Sequence, residues 1–345
     1  MENVFIKARA PSRIGIGGGG SDLPSFFESN GGAVLNVALN LFSYTKMSVN
    51  GTAKSRVVSH DWEVDREFDE LGLEFGSNRK ENIDMVKAVM EVSGLSPKDG
   101  YDIVIHSTTP KNAGLAGSSA LNASLLAAMF NMAGKPMMNR DAFARSAYRV
   151  EREILKRPGG YQDQYAAVFG GFNFIEFSKG GIDIQPLRLE EDLVAEWHSS
   201  MMLFETPFPR KNFAHDVERR KDDDIRRGGD SVEYLKKIRD YAYGMKKALV
   251  SGNVADMGEL LHLSWVEKKK LPGVSSDQID ALYKVAKESG AYGGKLCGAG
   301  GGGFLFVICD MADRKKIANA MGKAGARVVN FDFDFEGMIS WRTNC

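Results

Sequence analysis

A serine-bearing loop and two acidic residues carry the clearest chemistry in this chain. Residues 110–129 read PKNAGLAGSSALNASLLAAM, a glycine-containing loop that opens onto an apolar run. A helix beginning there leaves its first amides without internal partners, at the positive end of the helix dipole, so the loop is a candidate anion site. Ser118 and Ser119 add hydroxyls able to bind phosphate oxygens or a hard cation. A capped helix with small residues for packing explains the same letters equally well.

Further on, Phe143, Ala147, Val150 and Ile154 recur at helical spacing and form one apolar stripe. Glu151 falls within its width. A carboxylate on a core-facing stripe needs a cation or hydrogen-bond donors. Mg²⁺, which takes one or two carboxylates plus phosphate oxygens, is one such partner. An arginine, such as Arg13 or Arg149, is the other. Asp163 follows in GGYQDQYAAVFGG, residues 159–171, read here as a loop. An acid between glycines is often a turn residue; its closeness to a candidate metal ligand favours a role on substrate.

The patch SRIGIGGGGSDLP contains Gly15-x-Gly17-x-x-Gly20, formally a dinucleotide fingerprint. That fingerprint needs an acid about 20 positions on. Position 40 is Asn40, and no Asp or Glu occurs between Asn30 and Asp61, so the reading is rejected. A G-x-x-x-x-G-K-[ST] loop and the H-R-D and D-F-G signatures are also absent.

These residues need elements to position them. The pattern predicts a strand over 7–16, a short helix over 22–29 capped by Ser21, and a strand over 34–49. A helix over 83–92 ends at Gly94, and a strand spans 101–107. Helices follow over 118–132 and, capped by Asn139, through Lys156. Residues 168–177 read as strands. Long charged helices occupy 231–250 and 254–269, and Ser275-Ser276 caps a helix over 277–289. A strand over 302–309, a helix over 314–322 and a strand over 327–335 complete the chain. Strands and helices mix without strict alternation, which favours an α+β class, with a domain boundary near residue 190.

Composition narrows the functions. Of 345 residues, 38 are glycine, against an ordinary usage of about 7%. Fourteen of them fall in three patches, at 15–20, 114–117 and 293–303, which suggests backbone brought close to something. Lys+Arg and Asp+Glu are equal at 45 each, so no field gathers nucleic acid or an anionic membrane. The three cysteines show no metal spacing, and neither do the five histidines. With no apolar stretch long enough to span a bilayer and no secretory signal pattern, a reducing cytoplasm is expected.

In order along the chain, the three glycine patches resemble the motifs of the GHMP kinase family. The first is Pro11-Ser12-Arg13 through Asp22. The second is Gly114-Leu115-Ala116-Gly117-Ser118-Ser119-Ala120, with Ala116 where the family usually has glycine. The third is Lys295-Leu296-Cys297-Gly298-Ala299-Gly300-Gly301-Gly302-Gly303. GGGGSDLPSFFESNGG and GYQDQYAAVFGGFNFIEF resemble the sugar-1-kinase branch most. Tyr161 stands where that branch commonly has lysine.

The resemblance implies a two-domain GHMP kinase fold. An N-terminal α+β domain, residues 1–190, would carry motifs one and two, and a ferredoxin-like C-terminal domain, residues 191–345, motif three. It implies ATP and Mg²⁺ as cofactors, a small sugar phosphate as partner, and a possible homodimer. The implied reaction is phosphorylation of an anomeric hydroxyl, most specifically that of D-glycero-D-manno-heptose 7-phosphate. L-fucose or another hexose is the alternative acceptor, and a non-catalytic sensor of sugar and ATP the distant one.

Residue by residue, Asp163 resembles the catalytic acid and Arg13 its cationic partner. Lys111, Ala113, Gly114, Leu115, Ala116, Gly117, Ser118 and Ser119 would hold the nucleotide. Ser119 and Glu151 would hold the metal. Asp22, Gly19, Ser21, Gly300, Gly301 and Arg210 would meet the sugar. Arg210, Lys211 and Lys268–Lys270 are candidates for a distal phosphate on the acceptor, though for the lysine run a solvated face is favoured; the mixed run KDDDIRR, residues 221–227, is read as solvated surface.

Overall fold

A long bent strand is the spine of the molecule. The computed structural model describes residues 4–74, 83–136, 139–209 and 214–344. The first half runs β1 (Val4–Gly17), α1 (Pro24–Asn30), β2 (Gly32–Val49), β3 (Ser55–Ser59), β4 (Val64–Phe68), α2 (Asp84–Ser93), β5 (Tyr101–Ser107), α3 (Gly117–Met132) and α4 (Arg140–Tyr148). A π-helical turn, Arg149–Ile154, then leads to α5 (Gln162–Phe169), β6 (Phe172–Ser178) and β7 (Gly181–Leu187). The second half runs α6 (Glu191–Ser200), β8 (Met201–Glu205), α7 (Ala214–Arg226), α8 (Ser231–Ser251), α9 (Val254–Lys268), α10 (Asp277–Glu288), β9 (Ala291–Leu296), β10 (Phe304–Cys309), α11 (Arg314–Lys323), β11 (Arg327–Val329) and β12 (Ile339–Asn344).

β2 is long enough to serve two sets of neighbours. Residues 43–49 pair with β5, and residues 32–37 pair with β6, within one 8-stranded sheet. β1 lies along the other edge of β2, and its register slips at Pro11/Ser12 and again at Gly15/Gly17. Such slips bend a strand and re-aim its side chains. Arg13 sits between them, and its amide bonds to Leu115 O at 2.9 Å, tying the strand to the second glycine patch.

The second sheet has four strands in the order β11-β8-β10-β9, antiparallel throughout. Helices join its first and second strands and its third and fourth, which is the ferredoxin-like βαββαβ arrangement. The last strand, β12, leaves this sheet and pairs with β1 in the first. One core joins the two halves: Ile14, Leu35 and Phe174 of the first sheet pack with Trp197 of α6, Met245 of α8, Leu261 of α9 and Phe306 of β10. α3 is buried along nearly its whole length, from Ser119 to Phe130, as its lack of a polar face requires.

Several elements differ from the sequence reading, each for a local reason. Residues 168–169 end α5 rather than starting a strand; Gly170 and Gly171 both take positive φ, and only then does β6 begin. Ser21 does not cap α1. Its hydroxyl bonds to the carbonyls of Gly18 and Ala33, and α1 starts after Leu23 at Pro24. The helix begun at Asn139 widens into the π turn instead of running on evenly to Lys156.

Candidate active site

Between the sheets lies a cleft of about 780 Å³, lined from both halves of the chain. The first half of the chain contributes Arg13, Asp22, Asp163 and residues 109–118, the first wall, and the second half Lys221, Lys268, Lys295, Gly298 and Ala299, the second wall. The glycines explain how the two halves approach. A Cβ on Gly114 would stand 2.6 Å from Cys297 O, and one on Gly303 3.1 Å from Asn112 O, so patches two and three pack backbone to backbone.

The three acids are organised by one helical turn. Asp163 lies in the first turn of α5, not in a loop, where a carboxylate is favoured by the helix dipole. Arg13 donates to its Oδ1 twice, from Nε at 2.9 Å and Nη2 at 2.6 Å, and gives Nη1 to Gly114 O at 2.9 Å. Among the described residues, none bonds to Oδ2 of Asp163. Gln162, one residue earlier, donates its backbone N–H and its side-chain amide to Asp22, each at 3.1 Å. Gln164, one residue later, donates to Glu151 Oε2. Successive side chains on a helix point about 100° apart, so the two glutamines reach separate acids while Asp163 between them faces Arg13.

Asp22 is fully enclosed and accepts a third bond from Gly20 N at 3.0 Å. Burial pushes its carboxyl upward; the Gln162 and Gly20 N–H donors oppose that, and the charge of Asp163 adds to it. Glu151 is wholly buried, as its place on the stripe predicts. Its partners are Ser119 Oγ at 2.7 Å, Gln164, and Arg152 at 3.8 Å, not Arg13 or Arg149.

Glu151 Oε1 and Gln164 Oε1 are buried without a hydrogen-bond partner among the described residues. Leftover oxygens beside a serine hydroxyl make an all-oxygen donor set, the kind Mg²⁺ takes. Ser118 is exposed on the cleft, while Ser119 lies buried behind it against Glu151.

The nucleotide-loop candidates line the cleft: Lys111, Ala113, Gly114, Leu115, Ala116, Gly117 and Ser118. No side chain caps α3, so the amides of its first turn open there. Its N-cap, Ala116, takes φ +63°, a left-handed conformation. That explains why glycine is usual at this position in the family. Of the sugar candidates, Asp22 and Gly19 line the cleft, while the Ser21 hydroxyl bonds to Gly18 and to Ala33 of β2. Gly300 and Gly301 turn to the 273–274 loop instead; Gly301 N bonds to Val274 O at 2.9 Å. Arg210 and Lys211 lie outside the described residues.

The sequence reading placed Lys221 on the surface and favoured a solvated face for Lys268 over its candidacy for a phosphate. Lys221 and Lys268 are buried in the cleft, not solvated. A visible signal existed. Val217, Lys221 and Ile225 share one helical face, and Leu261, Trp265 and Lys268 share another. Trp62, Val64 and Leu155, an apolar patch of the lining, were missed, and for them the sequence carries no local cue.

The fold and site agree with the comparisons to known proteins. Residues 82–171 match the GHMP kinases N terminal domain, and residues 245–327 match GHMP kinases C terminal. The chain is 33% identical over 344 residues to D-glycero-alpha-D-manno-heptose 7-phosphate kinase of Campylobacter jejuni, covering 98% of this chain and 99% of that one. Two solved structures are similar. A D-glycero-D-manno-heptose 1-phosphate kinase from Bacteroides thetaiotaomicron has a TM-score of 0.79 at 27% identity, covering 97% of this chain and 98% of that one. A putative sugar kinase from Campylobacter jejuni has a TM-score of 0.78 at 30% identity, covering 98% of each chain. The chain belongs to the GHMP kinase family. Within it, the chain is an ATP-dependent sugar kinase. Among the described residues, no helix is long and apolar enough to cross a membrane.

Proposed function

We propose that this kinase transfers the γ-phosphoryl group of ATP to the anomeric hydroxyl of D-glycero-D-manno-heptose 7-phosphate, giving the 1,7-bisphosphate. The observation that carries the reading is the Arg13–Asp163 pair beside the open start of α3, with Asp22 held close by through Gln162. Phosphoryl transfer asks a protein for positioning and charge neutralisation more than for covalent chemistry. The first-turn amides of α3 would hold the phosphates, and the apolar patch of Trp62, Val64 and Leu155 gives the base a dry surface.

Asp22, held by three N–H donors, would orient the sugar by accepting from a ring hydroxyl. Asp163 would take the anomeric proton on its unbonded Oδ2 as the sugar O1 attacks. The O1–H bond breaks, the O1–P bond forms, and ADP leaves. Arg13 fixes the Asp163 carboxylate by two donors to the same oxygen. Mg²⁺ would be held by Glu151 and Ser119 and would supply charge neutralisation on the phosphates. We also propose the division at residue 190, with β12 anchoring the second unit back on the first.

A coupled ADP-release screen tests the substrate. We expect turnover with the heptose 7-phosphate to exceed that with L-fucose, mannose or galactose. Preference for a free hexose would move the acceptor to that sugar. Binding of sugar and ATP without ADP release would make the protein a sensor.

A further inference from the structure

The proposed mechanism makes no use of the lysine wall, and its state is unusual. Lys221, Lys268 and Lys295 each expose under a tenth of their surface, at 7%, 8% and 5%, and all three line the cleft. Lys268 donates to the carbonyls of Gly298 at 2.7 Å and Leu296 at 3.5 Å, and Lys295 to that of Ile16 at 3.1 Å. Only Lys221 meets a carboxylate among the described residues, Glu218 at 2.6 Å. Its amine also borders the Asp22 loop: a Cβ on Gly20 would stand 3.4 Å from it. Burial pushes the Lys268 amine well down, and Lys295 and Lys221 push it further. Buried amines facing one another are expensive unless an anion joins them. Three buried amines meet one carboxylate among the described residues, with Asp22 close to Lys221, so an arriving phosphate monoester dianion would favour their charged forms and join them.

We propose that Lys221, Lys268 and Lys295 form the subsite for the phosphate monoester of the acceptor, so that the enzyme selects a sugar phosphate over the free sugar. This rests on the sugar-kinase reading above. The γ-phosphate of ATP has the same chemistry, but the open start of α3, from the first half of the chain, provides for it.

The test compares wild type, Lys268→Met and Lys221→Met on D-glycero-D-manno-heptose 7-phosphate and on the unphosphorylated heptose. Charge-assisted contacts predict that each variant raises KM for the sugar phosphate roughly 10- to 100-fold. KM for ATP should move less than about twofold, and the preference for the phosphorylated sugar should fall by the same factor as its KM rises. An equal rise in KM for ATP would overturn the proposal and give the lysines to the γ-phosphate. So would a wild type that uses both sugars equally.

Calorimetric titration of the 7-phosphate into ATP-free protein decides the matter without turnover. Binding weakened in Lys268→Met supports the subsite even if no ADP is released, whereas undiminished binding overturns it. Because the substitution relieves repulsion, Lys268→Met should melt no lower than wild type. A lower melting temperature with intact affinity would make Lys268 structural and overturn the subsite.

Discussion

The two walls of the cleft solve the problem of buried charge in opposite ways. On the first wall every acid has protein donors: Asp163 has Arg13, Asp22 has Gly20 and Gln162, and Glu151 has Ser119 and Gln164. On the second wall, Lys268 and Lys295 have backbone carbonyls alone. The first wall is pre-organised, so its groups need not reorganise when charge develops during transfer. The second is incomplete until an anion arrives. One wall is built for chemistry and the other for recognition.

The comparison breaks first at Asp163. Asp163→Asn keeps the shape and removes the proton acceptor, so turnover should fall about 10²- to 10⁴-fold while ATP still binds. A stopped assay alongside nucleotide titration checks this; near-normal turnover would take Asp163 out of the reaction. Glu151→Gln comes next. It should raise the Mg²⁺ concentration for half-maximal rate about 10- to 100-fold with little effect on acceptor KM, read from a magnesium titration. An unchanged magnesium dependence would leave Glu151 as a packing residue.

The second wall should show itself in pH. Burial brings the Lys295 amine down to about 8, with Arg13 lowering it further and Cys297 acting against. Above that pH the free enzyme loses a positive charge, so kcat/KM for the sugar phosphate should fall by up to about tenfold per pH unit. Stability should move the other way. An unfolded lysine keeps its proton to about pH 10.4, so between about 8 and 10 the unfolded state binds more protons and this group's contribution rises with pH. Melting curves and kinetics over one pH series separate the two trends. The smallest effect is expected at Ala116. Ala116→Gly should relieve the left-handed cap and stabilise the fold by about 1 kcal/mol, read by denaturant unfolding.

Much of the first wall was legible because its motifs are local. Gly114 through Ser119 and Glu151 announce themselves through spacing or patterning within a few residues, whereas Asp22 was marked by the family resemblance alone. What stayed hidden is what joins distant segments. Asp163 looked like a loop residue because α5 has eight residues between glycine pairs, too few to show a helical period. Gln162 and Gln164 carry no signal of their own until Asp22 and Glu151 are brought beside them. The glycines were read as amides facing a ligand, yet Gly114 and Gly303 are small so that two halves of the chain can meet. The lysines teach the sharpest lesson. A charge on an apolar helical stripe was taken seriously at Glu151 but not at Lys221, and Lys268 was weighed as a phosphate candidate without its stripe; the same reasoning holds at both lysines.

The central claim is that the first wall directs ATP's phosphoryl group to the anomeric oxygen of a sugar that already carries phosphate. Phosphorus NMR of the products from ATP and D-glycero-D-manno-heptose 7-phosphate reads this directly. The account predicts ADP and a new phosphate coupled to the anomeric proton, beside the retained 7-phosphate. A new phosphate at any other carbon, or none at all, would contradict it.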